Sequence, residues 1–264
     1  EQIDRLNQDN LYDILRRQMV KRFESSFGAF RQSIVNIRDS YEKIKGFIKS
    51  SNGRYVLNRK LINKVDGDDP DQIDELLRQF AEENKDQDSK KNRIYEVNKF
   101  AFKEQFYDDI ESDIRLFNKI IAEIDGLALV ENDPKRSTLL DNVEASLNAV
   151  PNKGEPAPKV VIFSEYADTV KYLEPYLEER FKDRVLVITG TIGKQHLDEI
   201  NTNFDAAYPK NRQRDNYDVL LATDKLSEGF NLNRAAMVIN YDIPWNPVRV
   251  IQRVGRINRI SKKV

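Results

Sequence analysis

Near its end the sequence carries three arginines at a spacing that suits phosphate chemistry. Residues 252–259 read Gln-Arg-Val-Gly-Arg-Ile-Asn-Arg, so Arg253, Arg256 and Arg259 follow one another at intervals of three. Residues three apart on a helix are neighbours on one side of it. A guanidinium group can bind phosphate through two parallel hydrogen bonds, and it stays charged at physiological pH. The spacing indicates an anion site, and the alternative is an exposed helix whose arginines lack acidic partners.

The distribution of charge is compatible with a polyanionic ligand without deciding the matter. The chain has a net charge of -1, but residues 1–150 carry -4 and residues 151–264 carry +3. From Arg234 to the end there are seven basic residues and a single acid, Asp242. An excess of this kind attracts a phosphate chain, yet a solvated basic helix face would give the same count.

The composition excludes several classes of site. The sequence has no cysteine and one histidine, His196, which rules out a disulfide framework, a cysteine nucleophile and a cysteine zinc site. We therefore expect no metal-binding residues. No run approaches the roughly 18 apolar residues of a membrane helix, and no signal peptide is recognisable, so we expect a soluble, cytoplasmic protein. Because the first residue is Glu1, we also expect the sequence to be part of a longer chain.

The first half has the periodicity of long helices. Apolar residues recur at steps of three and four over residues 11–48 and again over residues 94–124. Between these stripes lie turn-forming and polar stretches and a short predicted helix over about 71–82. We expect residues 1–131 to form a helical insertion or bridge domain, whose two long helices make an antiparallel hairpin.

A connector rich in proline and glycine, residues 151–158, separates this half from a second half with a different hydrophobic pattern. Short apolar runs alternate with helical stretches, and they occupy residues 160–163, 185–188, 219–222 and 237–241. Continuous apolar strands that alternate with helices predict an α/β fold with a parallel sheet covered on both faces. Ligands of such sheets bind beyond the carboxyl ends of the strands, where Ser164, Thr189, Asp224 and Asp242 lie.

Three segments resemble, in order and spacing, the motifs of superfamily 2 helicases. Residues 159–166 are similar to motif IV, residues 221–232 (Leu-Ala-Thr-Asp-Lys-Leu-Ser-Glu-Gly-Phe-Asn-Leu) to motif V, and residues 252–259 to motif VI. The sequence Asp-Ile-Pro-Trp-Asn-Pro at residues 242–247 is similar to the Swi/Snf-like branch. The resemblance implies that residues 132–264 fold as a helicase C-terminal lobe of the RecA-like, P-loop NTPase type. Residues 15–26 are similar to a helical segment in large bacterial members of that branch.

The resemblance also implies a role for each matching residue. Arg256 and Arg259 match catalytic arginine fingers, which neutralise the charge that develops on the γ-phosphate during hydrolysis. The positions that match nucleotide contacts are Asp224, Glu228, Gly229, Gln252 and Arg253. The positions that match contacts to a nucleic-acid backbone are Ser164, Tyr166, Thr189 and Gly190. Two alternatives remain open, because Arg253 can instead brace its helix and Asp224 can instead cap the end of its strand.

The parts of an ATP site that bind the metal ion are missing. Residues 189–195 imitate a phosphate-binding loop, but Ile188 stands where the first glycine is needed and Gln195 replaces the Ser or Thr that holds Mg²⁺. The two Asp-Glu pairs, at 74–75 and 198–199, do not follow apolar strands. The resemblance therefore implies that ATP and Mg²⁺ bind only together with a first lobe that this sequence lacks.

The predicted function is that of the second motor lobe of an ATP-dependent DNA helicase or translocase. The resemblance implies three partners: a nucleic acid, with double-stranded DNA favoured over single strands or RNA; the first lobe; and a possible protein at the helical hairpin. The alternative is a non-enzymatic nucleic-acid or protein binding module that contains a degenerate lobe. A phosphate-loop lysine and an Asp-Glu box encoded upstream of Glu1 would favour the motor.

Overall fold

The computed structural model describes the greater part of the chain. The described ranges are residues 16–50, 55–57, 94–97, 100–151, 157–189, 193–223, 229–244 and 246–257. They divide into two compact units, one formed by Arg31–Leu127 and the other by Ala128–Val264 together with Glu1–Phe30. No helix among these residues is both long and apolar enough to span a membrane.

The smaller unit is built on two long antiparallel helices. Residues 16–25 form a first helical segment, α1, and α2 (Phe27–Ser50) follows it and continues into this unit, where it pairs with α3 (Lys103–Gly126). The polar contacts that join the pair include Arg31 to Asp125, Arg38 to Asn118, and Lys45 to Glu111. Each step of seven residues forward along α2 is matched by a step of seven backward along α3. The helices are therefore antiparallel, which confirms the predicted hairpin.

The start of the second predicted helix is a strand instead. Ile94–Glu96 forms β2, which pairs antiparallel with β1 (Tyr55–Leu57), and α3 begins only at Lys103. Ile94 and Tyr95 favour extended backbone, and an apolar run this short does not distinguish a strand from a helix by its period. The helix predicted over residues 71–82 lies outside the described residues.

The larger unit contains a parallel sheet of four strands. Its helices and strands, in chain order after α1, are α4 (Pro134–Leu147), β3 (Val160–Ser164), α5 (Ala167–Phe181), β4 (Val185–Ile188), α6 (Lys194–Phe204), β5 (Val219–Thr223), β6 (Met237–Asn240) and α7 (Pro247–Ile257). The order across the sheet is β4-β5-β3-β6, and every pair is parallel. All four predicted strands are present, so the predicted α/β class is confirmed.

Alternate residues of the central strands face opposite layers of core. On β3, Val160 and Ile162 pack in one cluster with apolar residues of α4 and α5. Val161 and Phe163 pack in the other cluster, with apolar residues of α6. Every residue of β3 and β5 is buried, which explains why these strands read as unbroken apolar runs. The carboxyl ends of β3 and β5 lie side by side, because Ser164 is in register with Thr223.

The unit that contains the sheet also includes residues 16–30, which differs from the predicted division at 131/132. The α1 helix ends at Ser25, and α2 begins after Ser26, whose Oγ accepts a hydrogen bond of 2.9 Å from the Ala29 N–H as a helix cap. Ser25 and Ser26 are both buried. Helical periodicity continues across this break, so the sequence pattern does not reveal that the chain before it belongs with the sheet.

Candidate functional site

The α7 helix is anchored to the sheet by Arg253. This side chain is 0% exposed, and its Nη1 donates to Asn240 Oδ1 at 2.9 Å and to the Asp242 carbonyl at 3.3 Å. Its guanidinium carbon lies 5.4 Å from the centre of the Phe163 ring. A buried guanidinium needs such partners to offset its desolvation. Arg253 was predicted to contact nucleotide, but its placement favours the open alternative, a brace for the helix.

The opposite face of α7 is open. Ile251 is 69% exposed, Gln252 is also exposed, and a Cβ atom added at Gly255 would meet nothing within 4 Å. Val248 and Val254 extend this exposed apolar stripe. The helix therefore holds the sheet through one face and leaves the other available for contact.

Arg256 lies one turn beyond the anchor and is partly buried. Its carbonyl accepts a hydrogen bond of 3.0 Å from the N–H of Leu232, in the segment that resembles motif V. The backbone at Arg256 is thus fixed both by the helix and by that neighbouring segment.

At the carboxyl edge of the sheet, several donors converge on the carboxylate of Asp242. Oδ2 accepts from Ser164 Oγ at 2.6 Å and from Ser25 Oγ at 2.9 Å, while Oδ1 accepts from the Glu165 N–H. Ser25 Oγ also lies 2.8 Å from Thr169 Oγ1. Asp242 is 8% exposed, and the three hydroxyl residues are fully buried. This network joins α1, the end of β3 and the start of α5.

Ser164 was predicted to touch a nucleic-acid backbone, and the structure gives its hydroxyl another use. Its proton points to Asp242, and its oxygen accepts from the Tyr166 N–H at 3.2 Å. Because the side chain is buried, it shapes the end of the strand from within.

Tyr166 is half-buried beside this network. The Arg22 guanidinium lies 4.2 Å from the centre of its ring and forms an ion pair of 2.8 Å with Asp168. Burial, followed by the nearby charge of Glu165, raises the pKa of the Tyr166 phenol to about 12. The phenol therefore stays protonated at neutral pH and can donate a hydrogen bond to a ligand.

A cavity of about 300 Å³ opens between α1 and the ends of β3 and β6. Lys135 lies on its wall, and its Nζ donates to the carbonyls of Glu24 and Ser25 at 2.8 and 2.9 Å and sits 4.3 Å from the centre of the Tyr241 ring. Burial lowers the pKa of this ammonium group. The walls also carry the carboxylates of Glu24, Glu165 and Asp242, so the cavity lacks the uniform positive charge of an anion site.

Of the seven basic residues counted in the C-terminal part, the structure describes four, and two of these, Arg253 and Arg234, are internal. Arg234 Nη1 donates to the carbonyls of Thr202 and Arg214, and Nη2 pairs with Asp215 at 2.5 Å. That carboxylate also pairs at 3.0 Å with the ammonium of Lys159, whose pKa is lowered by burial. The predicted basic surface is therefore smaller than the sequence count indicates.

The structure places only some of the remaining predicted site residues. Thr189 is exposed at the end of β4, and Gly229 is exposed with φ of +90°, a left-handed conformation that favours glycine. Four predicted site residues lie outside the described ranges, namely Gly190, Asp224, Glu228 and Arg259. Among the residues that are described, no group of three or more His, Asp or Glu side chains could hold a metal ion.

The sequence matches a known domain family and several known proteins. Residues 138–261 match the family described as "Helicase conserved C-terminal domain". An uncharacterized ATP-dependent helicase, YqhH of Bacillus subtilis, is 36% identical over 105 residues, which are 40% of this chain and 17% of that protein. The SNF2 domain-containing protein CLASSY 3 of Arabidopsis thaliana is 34% identical over 110 residues, 40% of this chain and 7% of that protein.

A third relative extends the match to about half of the chain. RNA polymerase-associated protein RapA of Yersinia pestis is 33% identical over 130 residues, which are 49% of this chain and 12% of that protein. Each match spans less than a fifth of the relative's length. Together with the parallel sheet, these findings confirm the resemblance: residues 138–261 are similar to the helicase conserved C-terminal domain, and the relatives include an ATP-dependent helicase and an SNF2 domain-containing protein.

Proposed function

We propose that this chain, whose residues 138–261 are a helicase conserved C-terminal domain, is the second motor lobe of an ATP-dependent DNA helicase or translocase. The observation that carries the proposal is the geometry of α7. Arg253 fixes one face of this helix to the sheet, while Ile251, Gln252 and Gly255 leave the other face open. A helix that is held in this way can present Arg256, in its last turn, to a second lobe.

In this proposal Arg256 and Arg259 are the arginine fingers. ATP with Mg²⁺, held mainly by the first lobe, supplies the phosphoryl group that is transferred to water. The two guanidinium groups neutralise charge as it develops on that group, and preorganised donors lower the barrier most because they need no reorganisation during the reaction. Gln252 and Gly229 are exposed, so they can contact nucleotide. We assign the same role to Asp224 and Glu228, because they match nucleotide contacts in the motif V resemblance.

The nucleic-acid contacts are assigned to the carboxyl edge of the sheet. Thr189 is exposed there, Gly190 follows it in the chain, and Tyr166 offers a protonated phenol. Hydroxyl groups and backbone N–H groups bind phosphate oxygens without reading bases, as a motor that moves along double-stranded DNA requires. Ser164 contributes by holding the backbone of Tyr166.

The test combines kinetics and binding in a protein that contains both lobes. Arg256→Ala and Arg259→Ala should lower the ATPase rate at saturating DNA by at least about 100-fold while DNA affinity changes little. Lysine at either position should rescue poorly, because it cannot form the planar bidentate contact. The matched control is Arg180→Ala, which removes an exposed arginine of α5 that pairs with Glu144 and should leave the rate unchanged.

The competing function is a non-enzymatic binding module. If Arg256 only contacts DNA, its replacement will weaken DNA affinity, and saturating DNA will restore the full rate. The exposed apolar stripe Val248, Ile251 and Val254 is the observation that keeps a protein-binding role under test. A protein in which the finger variants and Arg180→Ala behave alike would contradict the motor assignment.

A further inference from the structure

We propose that Asp242 is a positioning residue that sets the orientation of the α7 helix according to where α1 lies. The carboxylate of Asp242 binds α1 through Ser25 and binds the end of β3 through Ser164 and the Glu165 N–H. Its backbone carbonyl accepts from Arg253, the anchor of α7. One residue thus contacts α1, the central strand and the helix that carries Arg256.

The donors around Asp242 are arranged so that every proton points at the carboxylate. Ser25 has one hydroxyl proton and gives it to Asp242, so the 2.8 Å contact with Thr169 must be donated by the threonine. Ser164 likewise donates to Asp242 and accepts from the N–H of Tyr166. A neutral or shorter side chain at position 242 would leave buried donors without an acceptor, which is costly inside a protein. The arrangement therefore uses both carboxyl oxygens of Asp242 as acceptors.

The position of α1 is fixed by further contacts on both sides of Ser25. Lys135 donates to the Glu24 and Ser25 carbonyls, which are among the last of α1, and so caps that helix. Arg22 pairs with Asp168, and Lys21 pairs with Glu165 at 3.3 Å. Because Glu165 also donates its N–H to Asp242, a shift of α1 is transmitted to the same carboxylate by two routes.

On the other side of Asp242, the link to α7 is short. Asn240 and the Asp242 carbonyl hold Arg253 Nη1, and Arg256 follows three residues later on the same helix. A displacement of the backbone at residue 242 therefore tilts α7 and moves the side chain of Arg256. Packed interfaces of this kind hold discrete arrangements rather than deforming continuously. The effect of this movement on the rate of hydrolysis rests on the proposed function, whereas the positioning of α7 does not.

The decisive experiment measures amide hydrogen exchange in this chain without any requirement for ATPase activity. Ser25→Ala removes one donor to Asp242, and loss of such a bond should speed exchange in residues 250–257 of α7 about tenfold. Exchange in α6, which is hydrogen-bonded to Arg214, Asn216 and Arg234, should stay within about twofold of the parent. The matched control is Ser40→Ala, because Ser40 is half-buried on α2 and its hydroxyl donates to the carbonyl of Asn36 in its own helix. Asp242→Ala should speed exchange in α7 more than Ser25→Ala does, with the same difference between α7 and α6. If the Asp242→Ala variant does not fold, the result for Ser25→Ala alone tests the proposal.

Unchanged exchange in α7, or equal acceleration in α6 and α7, would overturn the positioning role, since the second pattern reports only a general loss of stability. In a two-lobed protein, Ser25→Ala should lower kcat severalfold and leave the KM for ATP nearly unchanged. Faster exchange in α7 combined with an unchanged kcat would support the positioning of the helix and contradict the fingers. The two proposals therefore fail separately.

Discussion

Gly28 lies directly against the ring of Tyr172. A Cβ atom added at Gly28 would come within 2.3 Å of Cδ2 of that ring. The tyrosine cannot swing aside easily, because its hydroxyl lies within hydrogen-bond distance of the Val130 carbonyl, Asp133 Oδ2 and Arg136 Nη1. The first turn of α2 therefore packs against α5 at a distance that only glycine permits.

Gly28→Ala should destabilise the chain by about 1 to 3 kcal/mol, because overpacking a fixed ring forces the backbone to shift. Gly46→Ala is the matched control on the same helix, where an added Cβ meets nothing within 4 Å. It should stabilise by about 0.5 to 1 kcal/mol, since alanine loses less entropy in a helix. Denaturant unfolding measures the change in the free energy of unfolding for each variant. Changes of the same sign in Gly28→Ala and Gly46→Ala would contradict the close packing of Gly28 against Tyr172.

Two buried tyrosines should respond oppositely to loss of their hydroxyl group. Tyr241 is 5% exposed, and its hydroxyl has no hydrogen-bond partner within the described part of the chain. Tyr241→Phe should therefore be neutral or stabilising by up to about 1 kcal/mol, because it removes an unsatisfied polar group. Tyr172→Phe should destabilise by about 1 to 2 kcal/mol, because it removes the contacts of that hydroxyl with the Val130 carbonyl, Asp133 Oδ2 and Arg136 Nη1. Thermal unfolding of both variants is the measurement. The midpoint of Tyr241→Phe should be equal to or above that of the parent, and the midpoint of Tyr172→Phe should be below it.

The chain should lose stability in alkaline solution. Burial is the main cause that raises the pKa of Tyr166 to about 12 and raises the pKa of Tyr172 and Tyr241 above the ordinary value. Above pH about 10 the unfolded chain releases these protons first, so each tyrosine lowers the free energy of unfolding by up to about 1.4 kcal/mol per pH unit.

Two buried lysines act in the opposite direction at lower pH. Burial lowers the pKa of Lys135 and Lys159, so the unfolded chain binds more protons just below pH about 10.5 and stability rises with pH there. We expect the free energy of unfolding to pass through a maximum near pH 10. Titration from pH 8 to about 11.5 measures the curve, and Tyr241→Phe should flatten its alkaline limb. An alkaline limb unchanged in Tyr241→Phe would contradict the burial of that phenol.

Binding of the chain to DNA should be weak and sensitive to salt. Arginine and lysine side chains that neutralise phosphates release counterions, so affinity should fall by at least roughly tenfold between about 50 and about 200 mM salt. Duplexes of unrelated sequence should bind equally, because phosphate contacts carry no sequence information. Fluorescence anisotropy with two such duplexes is the measurement. A salt-independent affinity or a marked sequence preference would contradict a backbone contact.

The sheet could be predicted from the sequence because its strands are buried on both faces. Residues 160–163 and 219–222 have no polar residue, and strands of a parallel sheet that is covered on both faces have this pattern. The extent of the lobe could not be predicted, because residues 16–30 have the same helical period as the hairpin that follows. Their membership in the sheet unit depends on Ser25 and Gly28, and neither is distinctive in a sequence.

The sequence predicted where polar residues of the candidate site lie better than it predicted what those residues contact. Asp242 and Ser164 were correctly expected at the carboxyl edge of the sheet, yet both are buried and bond to each other. Ser25 and Asn240 were missed, because a small polar residue gives no periodic signal. The resemblance of residues 15–26 to bacterial relatives was the available indication that Ser25 lies in a functional segment. A buried hydroxyl group forms hydrogen bonds within the protein, whereas an exposed one is available to a ligand. Whether a hydroxyl group is buried depends on contacts between residues that are distant in the sequence.

The bond between Ser25 and Asp242 has a consequence for synthesis of the protein, because its two ends are 217 residues apart. A ribosome adds roughly 5 to 20 residues per second, so α1 emerges roughly 10 to 40 seconds before the carboxylate that it binds. During that interval the Ser25 hydroxyl must be hydrated, because the carboxylate that accepts its proton in the folded chain has not yet been synthesised. The packing of α1 against the sheet is therefore completed only after residue 242 has been translated.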